Sequence, residues 1–196
     1  MKTIALKSLT ILFLCSSVLT FAQEKFNADT DNSVVYWKGS KPTGDHNGTV
    51  KVKTGFFNIS DKGISGEFDI DMTSIINLDL EAGSKYNTKL VNHLKSEDFF
   101  SVEKFPTATF KVTKSEVKGE KTLITGNLSI KGITHEISFL ATVHQEAKKL
   151  HVKSDTFTID RSKWEVKYKS TSFFADLGDK FIYDDIELSF DVVANQ

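Results

Sequence analysis

The sequence predicts an antiparallel β-barrel of about eight strands with one short helical insertion. Three observations lead there. Beyond residue 22, apolar residues recur on period two almost from end to end, which gives each strand one apolar and one polar face. Turn-forming residues separate the alternating runs at short intervals. One segment alone changes to a helical period.

The first segment lies outside this pattern. Lys2 and Lys7 precede the apolar stretch 9–14, and Thr20-Phe21-Ala22 places small residues at the −3 and −1 positions of a cleavage point. That is the order of a secretory signal. The expected division is a signal peptide over residues 1–22 and one barrel domain over residues 23–196, exported to the periplasm or secreted. Cys15, the lone cysteine, falls within the signal, and Leu14 before it does not suit a lipidation site. A mature chain without cysteine excludes thiol catalysis, cysteine-ligated zinc and redox chemistry.

The strands follow in order. Val34 with Tyr36, and Val35 with Trp37, form two short alternating sets. Val50, Val52 and Phe56 share a parity opposite Lys51 and Lys53. Ile64, Phe68, Ile70 and Met72 oppose Glu67, Asp69 and Asp71, and Ala108, Phe110 and Val112 oppose Thr109 and Lys111. Ile124, Leu128 and Ile130 come next, then Ile137, Phe139 and Val143, and last Ile182, Ile186, Leu188, Phe190 and Val192. The turns are expected at Asp61-Lys62-Gly63, Lys118-Gly119-Glu120, Lys131-Gly132 and Ala147-Lys148-Lys149. Between Val152 and Phe157 the apolar parity flips, which predicts a bulge or a strong bend. Between residues 84 and 97, Tyr86, Leu90 and Leu94 recur at i, i+4 and i+8, so this stretch is a short amphipathic helix. Strands of this number and length remove their edges by closing into a barrel, whose interior either fills with side chains or holds one ligand.

Charge and motifs narrow the function. Basic and acidic side chains number 25 and 26, and loss of residues 1–22 removes two lysines and no acid, leaving a net charge of −3. Arg161 is the only arginine, so multidentate phosphate recognition and nucleic-acid binding are not expected. The five histidines, His46, His93, His135, His144 and His151, lack the spacing that sets two imidazoles on one metal. His93 and Glu97 share a helix face, which reads as surface electrostatics. No nucleophile elbow and no phosphate-binding glycine loop is present. The expectation is no catalytic residue, no metal ligand and no cofactor.

What stands out is aromatic apolar content: 16 Phe, of which Phe13 and Phe21 lie in the signal, leaving 14. They form either a solid core or the wall of an apolar ligand cavity, and composition leaves both open.

The stretch His93-Leu94-Lys95-Ser96-Glu97-Asp98-Phe99-Phe100, followed by Phe105-Pro106 and Phe110, resembles the YceI family. So does Gly126-Asn127-Leu128-Ser129-Ile130-Lys131-Gly132-Ile133-Thr134. Trp37, His46, the segment 71–75 and Asp160-Arg161 fall in the family's order and spacing. Ser129 stands where Thr is commoner, and Ser162-Lys163-Trp164-Glu165 replaces an Asp-Phe-Gly-like stretch at one barrel end. The resemblance implies a bacterial, exported, lipocalin-like barrel holding a polyisoprenoid, an isoprenoid quinone-like molecule or a similar long-chain amphiphile. Its role would be carrier, store or protective sequestration, with a lipid hydrolase or isomerase as the alternative. A homodimer is one assembly open to such a domain, whose oligomeric state the sequence does not name.

On that reading Phe56, Phe68, Ile70, Phe110, Leu128, Ile130, Phe139 and Phe190 form the cavity wall. Leu94 and Phe99 close it from the insertion, and His46, His93 and Arg161 contact a polar head.

Overall fold

Tight turns set the register of the sheet. The computed structural model describes residues 23–196, so the expected signal segment lies outside the described residues. The strands are β1 (Glu24–Ala28), β2 (Val34–Lys41), β3 (Gly44–Ser60), β4 (Gly63–Asn77), β5 (Thr107–Lys118), β6 (Lys121–Ile130), β7 (Ile133–Glu146), β8 (Lys149–Ser154), β9 (Phe157–Asp160) and β10 (Asp185–Asn195). All four expected turns join neighbouring strands at their predicted places. At β6–β7 both Lys131 (φ 52°) and Gly132 (φ 76°) are left-handed, the primed turn whose twist matches that of the flanking strands.

Every pairing is antiparallel, and β10 closes the ring. Ile186 to Asp191 pair with β2, while Asp191 to Asn195 pair with β8. β1 lies between β3 and β10, as β2 does, after a 3-10 turn at Thr30–Asn32 capped by the Asp29 carboxylate. β9 resumes the path of β8 beyond Asp155-Thr156, where the parity flip predicted a break, and pairs with β10. The ten strands therefore fill eight places around the ring. The fold is an extended antiparallel eight-stranded lipocalin-like β-barrel with a short helical insertion, α1 (Lys85–Lys95). Among the described residues no helix is long and apolar enough to cross a membrane.

One half of the barrel is solid. Phe26, Phe57, Phe68, Ile124, Phe139, Leu150 and Val152 pack there, each no more than 6% exposed. Phe139 is the hub: it stacks on Phe157 at 4.6 Å between centroids and meets Phe190 edge-on at 5.2 Å and Phe110 at 5.5 Å. Such pairs add about 0.5–1.5 kcal/mol each beyond area burial.

The position of Phe56 corrects the simple alternation. The register shift between Val52 and Thr54 leaves Lys53 unpaired in β3, and this bulge turns the following side chains over. Phe57 therefore enters the core against Phe68, with centroids 4.6 Å apart. Phe56 instead sits half-buried with Lys25 Nζ 4.5 Å over its ring.

Candidate functional site

The other half of the barrel is hollow. Its strand residues come from one end of the ring: Val35 and Trp37 on β2, Val50 on β3, Ile70, Met72 and Ile75 on β4, Ala108 on β5, Leu128 and Ile130 on β6, Ile159 on β9, and Ile186 and Leu188 on β10. They enclose a cavity of about 190 Å³. Its surface is almost wholly apolar.

Two connections cover this end. α1 begins at Ser84, whose Oγ accepts the Asn87 N–H at 3.2 Å, and ends at Ser96, whose Oγ donates to the His93 carbonyl at 2.8 Å. Asn87 Nδ2 ties the first turn to the carbonyls of Asn77 (3.3 Å) and Leu80 (3.1 Å). Leu90 and Leu94 line the cavity, as do Phe99 and Phe100 just beyond the helix. Tyr86, the third residue of the predicted stripe, is 76% exposed, because the helix covers the opening with only its C-terminal two turns.

The second cover is the long connection 161–184, organised by Arg161. Its side chain is 2% exposed. Nε donates to the Tyr183 carbonyl (3.2 Å), Nη1 to Val166 (2.6 Å) and Nη2 to Ile182 (3.1 Å). Nη2 also lies 3.1 Å from Asp184 Oδ1, while Asp184 Oδ2 accepts from Ser170 (2.8 Å) and Ser172 (2.7 Å). Burial pulls the guanidinium's affinity for its proton down, opposed by the Asp184 and Asp160 charges. Trp164 anchors the start of the same connection, donating from Nε1 to the Leu128 carbonyl at 3.1 Å with His135 edge-on at 5.1 Å.

At the mouth, His46 lines the cavity and its Nδ1 lies 2.8 Å from Asp79 Oδ2. Asp79 Oδ1 accepts from the Asn47 backbone N–H at 2.9 Å and from Asn77 Nδ2. Burial raises the Asp79 pKa, but the bonds from Asn47, His46 and Asn77 together outweigh it and hold the carboxyl below its usual range. Among the described residues no three His, Cys, Asp or Glu side chains converge as a metal site would require.

Of the residues expected from sequence, the cavity gathers Ile70, Leu94, Phe99, Leu128, Ile130, His46 and Arg161. It does not gather Phe68, Phe110, Phe139 or Phe190, which belong to or pack against the solid half, nor Phe56. His93 also falls outside the wall. Its Nε2 meets Asp98 at 3.1 Å and its ring packs edge-on against Phe99 and Tyr168, so it braces the two covers from without. Glu97, its expected helix partner, pairs instead with Lys104 at 2.5 Å. Sequence reasoning missed Trp37, Met72, Ile186 and Leu188 as wall residues. Their alternation marked the inward face but not the end of the barrel they line.

A YceI-like domain model matches residues 26–194. The chain belongs to the YceI-like family. A UPF0312 protein of Pseudomonas putida is 30% identical over 154 residues, 75% of each chain. A UPF0312 protein of Photorhabdus laumondii is 34% identical over 105 residues, and the match spans only 52% of its length. Among solved structures, Burkholderia cenocepacia BcnA aligns with TM-score 0.65 at 21% identity, over 86% of this chain and 99% of its own. A polyisoprenoid binding domain from Saccharophagus degradans, described as implicated in plant cell wall breakdown, aligns with TM-score 0.62 at 16% identity, over 87% and 97%. At these identities the two structures bear on the YceI-like fold alone.

Proposed function

We propose that this YceI-like protein is an exported binder of a polyisoprenoid or similar long-chain amphiphile, which it carries, stores or sequesters without acting on it chemically. The observation that carries the reading is the apolar cavity, open at a mouth, in one half of an otherwise solid barrel. Each CH₂ taken into such a space gains roughly 0.8 kcal/mol, so a branched hydrocarbon chain binds with few hydrogen bonds. An apolar cavity of about 150 Å³ holds one benzene ring, so a cavity of about 190 Å³ accepts on the order of seven or eight carbon atoms. That is about one to two five-carbon isoprene units, and a longer tail displaces α1 or leaves through the mouth. The fold likeness to a domain named for polyisoprenoid binding supports the same ligand class. His46 and the exposed Lys41 supply polar contacts at the mouth.

The experiment is organic extraction of protein purified from its own host, followed by mass spectrometry. An intact lipid in stoichiometric amount is the expected result. Conversion of that lipid on incubation with the protein would instead make it a hydrolase or isomerase. Export is tested by intact mass, with Gln23 as the expected first residue.

A further inference from the structure

Gly39, on β2 in the cavity wall, has no local need to be glycine. Of the chain's eleven glycines, six have positive φ, and four more have an atom less than 3.0 Å from where a β-carbon would stand. Gly39 has neither. Its φ suits any residue, and a β-carbon there would meet nothing within 4 Å. A glycine inside a strand packs nothing and costs conformational entropy, and it often marks a place where a ligand approaches the backbone.

The register shows where that empty space leads. Trp37–Gly48, Gly39–His46 and Lys41–Gly44 are successive inward pairs of β2 and β3, rising toward the mouth in steps of about 7 Å. Trp37, Gly39, His46, Lys41 and Gly44 all border the cavity. At the deepest pair the large partner covers the small one, with Trp37 Cζ2 2.7 Å from where a Gly48 β-carbon would stand. At the next pair it does not. His46 Nδ1 is held 2.8 Å from Asp79 Oδ2, just past the end of β4, and the ring leaves Gly39 clear. At the last pair a Gly44 β-carbon would also meet nothing, and Lys41 is exposed. A clear strip therefore runs along β2 and β3 from Trp37 to solvent, whereas Leu90, Leu94, Phe99 and Phe100 close the α1 side.

We infer that this strip is the doorway of the cavity. The ligand enters along Gly39 and Gly44, and the part of a long chain that the cavity cannot hold lies there with α1 still in place. The inference rests on the proposed function and deepens it, making Gly39 the residue that admits chains longer than the cavity.

The chain from Gln23 onward has no cysteine, so Gly39→Cys supplies a single thiol. Geranylgeraniol at nine-tenths occupancy leaves about a tenth of the protein free, so it should slow reaction of that thiol with a water-soluble reagent about tenfold. Gly39→Leu should melt no lower than wild type and bind geranylgeraniol about tenfold more weakly, the worth of roughly two buried CH₂ groups. The eight-carbon alcohol 6-methyl-5-hepten-2-ol, which fits inside, should bind within a few-fold of its wild-type affinity. If the leucine variant fails to fold, the thiol decides. A thiol at position 39 that reacts equally fast with and without lipid would overturn the inference and leave the proposed function standing. So would unaltered geranylgeraniol affinity in Gly39→Leu, or equal weakening of both alcohols. Failure of the wild type to bind either alcohol would overturn both.

Discussion

At the residue scale, two buried positions separate the solid half from the hollow one. Phe139 touches aromatic rings on three other strands across the barrel, β5, β9 and β10, and has no face on the cavity. Phe139→Ala should cost about 3–5 kcal/mol, as deletion of a well-packed Phe does, and the same amount with and without lipid. Leu188→Ala, in the wall, should cost the ligand-free protein less, because part of its side chain already faces space, and should narrow the gap between free and loaded melting temperatures. Thermal unfolding of both variants, stripped and reloaded, checks this pair. Arg161 carries a different load. Replacing it by Met leaves the buried Asp184 Oδ1 without its counter-charge and three carbonyls without donors, for a loss of about 3–5 kcal/mol. Arg161→Lys should recover little, since an ammonium cannot reproduce the planar fork. Urea unfolding of the two variants reads the difference.

Asp79 gives a pH dependence whose sign follows from its depressed pKa. Its native partners favour the carboxylate, so their stabilisation is fully present above the unfolded value, about 3.8, and is lost as pH falls through the lower folded value. Wild type should therefore lose more stability than Asp79→Asn on acidification below about pH 4, with the two converging at the acid end. Parallel acid-unfolding curves would contradict this.

At the scale of elements, strands and covers differ in how firmly they are held. Every barrel strand except β9 pairs with a strand on each side, whereas α1 has no buried residue and is tied down by Asn87 and by Lys95 Nζ on the Thr73 carbonyl at 2.6 Å. Local opening draws on such weakly buried segments. Amide exchange in α1 should be faster than in β6 or β7, and bound lipid should slow it. Much of this arrangement was legible in the sequence. Period-two alternation marked every strand but β1, although it carried the last one back to Ile182, ahead of the start of β10 at Asp185; the turn residues marked the hairpin ends, and the parity flip after Val152 marked the break before β9. The bulge at Lys53 in β3 was not legible, because a single inserted residue has no composition of its own, and so Phe56 and Phe57 exchanged places. His93 was misplaced for a related reason. The helix pattern put it at the edge of an apolar stripe, but its surroundings come from Tyr168, a residue far along the chain.

At the scale of the whole molecule, alternation tells which face of a strand turns inward but not how high on the barrel a residue stands. Phe68, Phe110 and Leu128 read alike in sequence, yet β1 and the aromatic cluster fill one end and leave the other hollow. The central claim is that a long-chain lipid occupies that hollow half. Met72 offers a direct reporter, since the chain's other methionine is Met1, and Met72 is 8% exposed in the cavity wall. Protein lacking residues 1–22 and labelled with [methyl-¹³C]methionine, itself initiated with an unlabelled residue, should give one methyl resonance. On titration with geranylgeraniol that resonance should shift to saturation and show nuclear Overhauser contacts to the ligand's methyl groups. A Met72 methyl that stays unmoved, with no contact to the lipid at saturating concentration, would contradict the account.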